Sequence, residues 1–156
     1  MYIFDTSSFA TLGNYYPSVT PAIWKRVDTL ANNGDLRSVR EAFRELNQKC
    51  HEEHLQRWIE AHKFIFITPN AEELKLVRKM FEKEQCRNLV RYNNILKGTP
   101  VSDPFLISAA KVHHAILVTQ EKLKKGAAAR IPNICLDYGI RCINLEEFMN
   151  LEKLHY

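Results

Sequence analysis

A helix pattern that runs straight into a strand, from Ser102 to Val118, is the feature that most narrows what this chain can fold into. Pro104 has the fixed φ of a first helical position, and Ser102 or Asp103 stands where a side chain can cap free amides. Phe105, Leu106, Ala109, Ala110 and Val112 supply a buried helical face. Ala115-Ile-Leu-Val118 then follows as a short apolar strand, closed by Thr119-Gln-Glu121. The chain opens in the same way, because Met1–Phe4 predicts a buried strand and Asp5 closes it. Strands that alternate with helices imply an α/β fold, here a three-layer α/β/α sandwich around a mainly parallel central sheet. An acid at a helix start and another after a strand end occupy the positions where functional groups collect in such sheets.

The remaining elements fit this alternation. Ala22–Ala31 predicts a helix ended by Asn32-Asn33-Gly34, and Leu36–Ser38 a very short strand. Ser38 has the character of an N-cap for one long helix, Val39–His62, with Glu41 at the capping-box position. Phe64–Ile67 predicts a buried strand, and Ala71–Glu84 a helix with Leu74, Val77, Met80 and Phe81 inward. A further helix is expected over Arg87–Lys97, then a basic loop after Glu121, a last strand over Ile140–Leu145, and a closing helical turn over Glu146–Leu151. No linker or repeat interrupts the chain, so residues 1–156 are expected to form a single domain.

Composition sets the outer bounds. Apolar residues make up 46% and charged residues 26%, as in ordinary globular domains. The net charge of +4 permits an anionic partner without specifying one. The four cysteines have no CxxC spacing and read as small buried side chains or free thiols of a reducing cytosol, which points to a cytoplasmic protein. No run is long enough to span a membrane, and no signal peptide is visible. Cys50-His-Glu-Glu-His54 lacks the i, i+4 histidines of a zincin helix, because position 55 is Leu.

Four acids carry the chemical argument: Asp5, Glu45 (or Glu41), Asp103 and Glu121. In a parallel sheet the residues after the first strand and after the Ala115 strand share one rim, and the start of the Asp103 helix falls near it. Each acid has an ordinary alternative, as a cap for Asp5 and Asp103, a capping-box or solvent residue for Glu41, a surface residue for Glu121. Together they are costly: two like charges ~4 Å apart repel by roughly 4 kcal/mol at an effective dielectric of ~20. Such a cluster holds a proton or a divalent metal, and oxygen-only ligands suit Mg²⁺ or Mn²⁺. Beyond Glu121, Lys122, Lys124, Lys125 and Arg130 form a solvated basic loop that, beside a metal rim, is placed to contact RNA phosphates. Arg87, Arg91 and Tyr92 offer a second such track. His113-His114 suits the carbonyl end of a helix.

Four stretches give a family resemblance. Tyr2-Ile-Phe-Asp-Thr-Ser-Ser8, Ser38-Val-Arg-Glu-Ala-Phe-Arg-Glu-Leu46, Ser102-Asp-Pro-Phe-Leu-Ile-Ser-Ala-Ala-Lys111 and Leu117-Val-Thr-Gln-Glu121 resemble, in order, the motifs of the PIN-domain ribonucleases, including the VapC-like toxins of bacterial toxin–antitoxin pairs. The third stretch is the most specific match. The helix carrying Glu followed by Leu favours Glu45 over Glu41, and position 121 is Glu where the family has Asp. Residues 47–98 match the compact toxins poorly, as in a divergent branch. The resemblance implies a metal-dependent endoribonuclease in which Asp5, Glu45, Asp103 and Glu121 hold Mg²⁺ or Mn²⁺. It also implies an RNA substrate, a cognate antitoxin as protein partner, and pairing into a homodimer. The alternative is a non-catalytic module of the same fold that binds RNA or protein. A haloacid-dehalogenase-like phosphoryl acceptor is disfavoured because position 7 is Ser rather than Asp, and a receiver because Phe64–Ile67 ends in Thr68-Pro69.

Overall fold

The computed structural model describes residues 1–90, 101–126 and 128–154. Among these residues five short strands form one sheet: β1 (Tyr2–Phe4), β2 (Leu36–Val39), β3 (Phe66–Ile67), β4 (Ile116–Val118) and β5 (Cys142–Ile143). They lie side by side in the order β3-β2-β1-β4-β5, and every neighbouring pair is parallel. The chain builds outward from β1 to β2 and β3, then returns to the other side of β1 for β4 and β5. That reversal puts a topological switch point between β1 and β4, and the carboxyl ends of those two strands open a crevice there. Parallel strands covered on both faces are apolar throughout, as Tyr-Ile-Phe in β1 and Ile-Leu-Val in β4 illustrate.

Among the described residues the helices are α1 (Thr6–Leu12), α2 (Pro21–Asn32), α3 (Arg40–Lys49), α4 (Glu53–Ala61), α5 (Ala71–Met80), α6 (Glu84–Arg87), α7 (Asp103–Val112), α8 (Ile131–Asp137) and α9 (Leu145–Leu151). Side chains alternate faces along a strand. Tyr2 and Phe4 meet Phe148 of α9 edge-on, with ring centroids 4.9 and 5.0 Å apart, and Phe4 also meets Phe9 of α1 at 5.4 Å. Edge-to-face pairs of this kind each add about 0.5–1.5 kcal/mol beyond area burial. Helix α7 packs across β1, β2 and β4, with α5 against it. Its Leu106, Ile107, Ala109 and Ala110 are buried, and the small alanines let the helix approach the sheet closely. Two layers of helix around a parallel sheet are what the alternating pattern predicts.

Several boundaries differ from the sequence reading. The expected Val39–His62 helix is two helices, α3 and α4, because Cys50 is extended (φ −81°, ψ 127°) and the chain turns there. The turn brings Leu55, Trp58 and Ile59 of α4 back into the core. Ser38 is not an N-cap: it lies in β2 and its hydroxyl donates to the Phe4 carbonyl at 2.7 Å. Glu41 is therefore no capping-box residue; the capping box is at the last helix, between Asn144 and Glu147. Within the expected Phe64–Ile67 strand, Lys63–Ile65 form a 3₁₀ turn, Phe64 is exposed, and only Phe66–Ile67 pair.

Helix α5 stops at Met80, short of Glu84, and Leu74 faces solvent. The buried place in that turn belongs to Glu73, whose carboxylate meets His113 Nε2 at 2.6 Å. That contact, rather than the helix dipole alone, gives His113 its role. Helix α8 falls inside the stretch read as loop. The expected Arg87–Lys97 helix overlaps only the end of α6 at Arg87, and its residues 91–97, with Arg91 and Tyr92, lie outside the described residues. All four cysteines are free thiols. Among the described residues no helix is long and apolar enough to cross a membrane.

Candidate metal centre

The carboxyl ends of β1 and β4 lead directly into the site. Asp5 follows β1 and is 5% exposed. It serves first as the cap of α1, since its Oδ1 accepts the Ser8 backbone N–H at 2.8 Å. The Ser7 hydroxyl donates to both carboxylate oxygens, at 2.8 and 2.9 Å, and the Thr119 hydroxyl donates to Oδ2 at 2.6 Å. Burial pushes the Asp5 carboxyl above its ordinary value, while the bonds from Thr119, Ser8 and Ser7 pull it back down. The same hydroxyls pin the β4 exit: Ser7 Oγ accepts the Gln120 N–H at 2.9 Å, and Thr119 Oγ1 accepts that of Glu121 at 3.1 Å.

Glu45 comes from the second turn of α3, on the far side of β1. Its Oε2 accepts from the Thr6 hydroxyl at 2.8 Å and its Oε1 accepts the Ser102 backbone N–H at 2.9 Å. One carboxylate thus ties α1, α3 and the entrance of α7 together. Glu41, one turn earlier, goes elsewhere. Arg40 donates to its Oε1 at 2.9 and 3.2 Å, its Oε2 is buried with no hydrogen-bond partner among the described residues, and it does not line the cavity that Glu45 lines.

Asp103 opens α7. Neither it nor Ser102 caps the helix with its side chain. Among the described residues its carboxylate accepts no hydrogen bond. Burial, and then the like charges of Glu121, Glu45 and Asp5, push it up to about 7, with Lys49 acting the other way. Glu121 completes the set, with Oε1 accepting from Arg130 Nη1 at 3.1 Å and Oε2 from the Ile131 N–H at 2.8 Å, at the start of α8.

Asp5, Glu45, Asp103 and Glu121 line a single cavity of about 340 Å³, together with Thr6, Ser7 and Lys49. The four acids singled out in the sequence are thus brought together from four separate elements. Lys122, Lys124 and Lys125 follow on an exposed loop outside that lining. Arg130 is held against Glu121. The loop is itself fixed from α8: Asn133 accepts the Lys124 N–H at 3.1 Å and donates to the Lys124 and Gly126 carbonyls at 2.8 and 3.2 Å.

The donor set is all oxygen, which suits a hard divalent cation rather than zinc. Asp103 is the group whose environment calls for one, since three carboxylates raise it and no described donor hydrogen-bonds it. Among the described residues no three His, Cys, Asp or Glu side chains already converge as a cage for one ion. The reason is visible in the bonding: both oxygens of Glu45 and both of Glu121 are taken by protein donors. Thr6 belongs to the first motif stretch, whereas nothing in the sequence singles out Lys49. An exposed lysine four residues after Glu45 carries no signal until the cavity is seen.

The His51–His54 stretch makes no second centre: His51 is exposed, and the His54 ring packs on Tyr16 and Trp24. No curated protein and no solved structure matches the chain. A family model described as Domain of unknown function (DUF4411) matches residues 2–156, and the chain belongs to that family.

Proposed function

We propose that this protein is a metal-dependent endoribonuclease of the PIN type, hydrolysing RNA phosphodiester bonds with Mg²⁺ or Mn²⁺. One observation carries the reading: Asp103, with no hydrogen bond to its carboxylate among the described residues, shares a cavity with three further carboxylates at the switch point of a parallel sheet. A site of this kind at neutral pH needs a proton or a cation. Asp5, Glu45 and Asp103 would hold the cation, with Glu121 joining once it leaves Arg130. A divalent cation there supplies charge neutralisation for the phosphodiester and a more acidic water.

The chain's own residues do the positioning. Thr119, Ser7 and the Ser8 N–H fix both oxygens of Asp5, and Thr6 and the Ser102 N–H fix those of Glu45. Such bonds hold ligand oxygens in place before substrate arrives. The motif resemblance supplies the setting, a VapC-like toxin with an antitoxin that covers the rim.

One observation favours the rival reading of a non-catalytic RNA- or protein-binding module. Glu121 is engaged at both oxygens by Arg130 and the Ile131 N–H, which would leave a three-carboxylate site.

The test is cleavage of end-labelled single-stranded RNA by the full chain in Mg²⁺ or Mn²⁺, against chelator and against Asp103→Asn. Metal-dependent cleavage lost in Asp103→Asn is expected. A melting temperature that rises with metal in the wild type and much less in Asp103→Asn should accompany it; a ligand at ~100 times its Kd adds roughly 2.7 kcal/mol. RNA bound but left intact in both metals would favour the non-catalytic module.

A further inference from the structure

We propose that Lys49 is a substrate-binding residue that grips a phosphate of single-stranded RNA at the edge of the carboxylate cavity; this deepens, and rests on, the ribonuclease reading above.

Lys49 lies in the last turn of α3, one helical turn beyond Glu45 and on the same face. The carbonyl end of a helix favours a cation, and on that ground alone the residue would be ordinary. Its place in the cavity sets it apart. It borders the space lined by Asp5, Glu45, Asp103 and Glu121, and among the described residues no other lysine, arginine or histidine lines it. It is exposed, and among the described residues it makes no ion pair or side-chain hydrogen bond, although Asp103 is near enough to feel its charge. Arg130, on the other side, is already committed to Glu121.

A polyanion approaching four carboxylates is repelled unless cations receive the phosphates flanking the reacting one. The topology provides cations on both edges. In the order β2-β1-β4, Lys49 belongs to the helix after β2, Asp5 follows β1, and the exposed Lys122, Lys124 and Lys125 follow β4. An RNA strand laid across these strand ends meets Lys49 first, the carboxylates next and the loop lysines last. A lysine is suited to this because its ammonium is a compact point charge on a flexible stem.

The experiment uses the full chain with labelled single-stranded RNA. Binding is measured against salt in an Asp103→Asn background, with Lys49→Gln and Lys49→Arg added in turn. Loss of one single-strand phosphate contact should flatten the slope of log K against log salt by about 0.7, and Lys49→Arg should restore it. In the cleavage-competent protein, Lys49→Gln should raise KM about tenfold with kcat nearly unchanged, the pattern of a lost contact common to ground and transition states. The melting temperature should not move, since the side chain is exposed. An unchanged slope and KM would overturn the proposal. So would a fall in kcat with a shifted pH profile and unchanged KM, because Lys49 would then act on Asp103 and not on RNA. RNA bound but uncleaved by the parent protein would sink the ribonuclease reading while the salt slope still judged Lys49. No RNA binding by the parent would overturn both.

Discussion

The two ends of the same sheet hold charge in opposite ways. At the carboxyl end, Asp5, Glu45, Asp103 and Glu121 crowd one cavity, and Asp103 is opposed almost entirely by its own kind. At the amino end, a cavity of about 320 Å³ between α7, α8, β4 and β5 is bordered by Lys111, His114 and Arg141. There each helix closes with a left-handed residue just past its end. His114 (φ 51°) precedes the Ala115 N–H that bonds the Ala110 carbonyl, and Gly139 (φ 63°) precedes the Ile140 N–H that bonds the Cys135 carbonyl. Lys111 Nζ donates to the Tyr138 carbonyl at 2.7 Å. Cations beside the carbonyl ends of two helices are where helix electrostatics favour them. The amino end is thus explained by the demands of folding. The carboxyl end contradicts those demands, as the proposed metal site would require.

The sharpest way to break this contrast is by activity. Glu45→Gln should lower RNA cleavage by about 100-fold or more, the usual scale for losing one aligned polar group at a reacting centre. Glu41→Gln should stay within a few-fold of wild type, because Glu41 is turned toward Arg40 and away from the cavity. Steady-state rates on one RNA compare the two, and the reverse ranking would put the site one turn earlier on α3.

A smaller effect concerns pH. The ordinary Asp103 carboxyl value is 3.8, and the fold raises it to about 7. Between those values the native state binds more protons than the unfolded state, so stability should fall as pH rises from about 4 to 7. With metal chelated, and discounting for partial exposure, the loss should be on the order of 2 kcal/mol. Asp103→Asn should remove that slope and be the more stable protein at pH 8. Urea titrations at several pH values measure it; a wild-type stability that climbs over this range would mean the carboxyl is already paired.

The smallest effect belongs to the other end. His114→Gly should stabilise the protein by about 1 kcal/mol, because glycine accepts a positive φ without the steric cost a histidine carries. Cleavage should be unchanged. A loss of cleavage there would show that the two ends are coupled.

How far the sequence revealed this molecule depends on where each interaction originates. Asp5, Asp103 and Glu121 were legible because each closes or opens an element whose apolar run is unmistakable. Glu41 and Glu45 were not separable by periodicity, since both lie on one helical face. Thr6 and the Ser102 N–H distinguish them, and both are far away in sequence. Hydrophobicity places Leu74 inward and says nothing of Glu73, yet His113, forty residues on, draws Glu73 into the core. The break after Lys49 carries no Gly or Pro, so nothing local announces it. Helix α8 did have a local signal, Pro132 in its first turn and Gly139 just past its end, but its seven residues were masked by the basic stretch before them.

One side chain in that short helix reaches beyond packing. Asn133 makes three bonds to the backbone at Lys124 and Gly126, so the segment that carries the exposed lysines is clasped into shape when the protein folds. Its main-chain freedom is surrendered at that stage. An anionic partner docking on the lysines would have to quiet only their side chains, at roughly 0.5–1.5 kcal/mol each. For such a partner, a loop that looks like slack between two elements would be a prepared surface, held ready by an asparagine that need never touch what binds there.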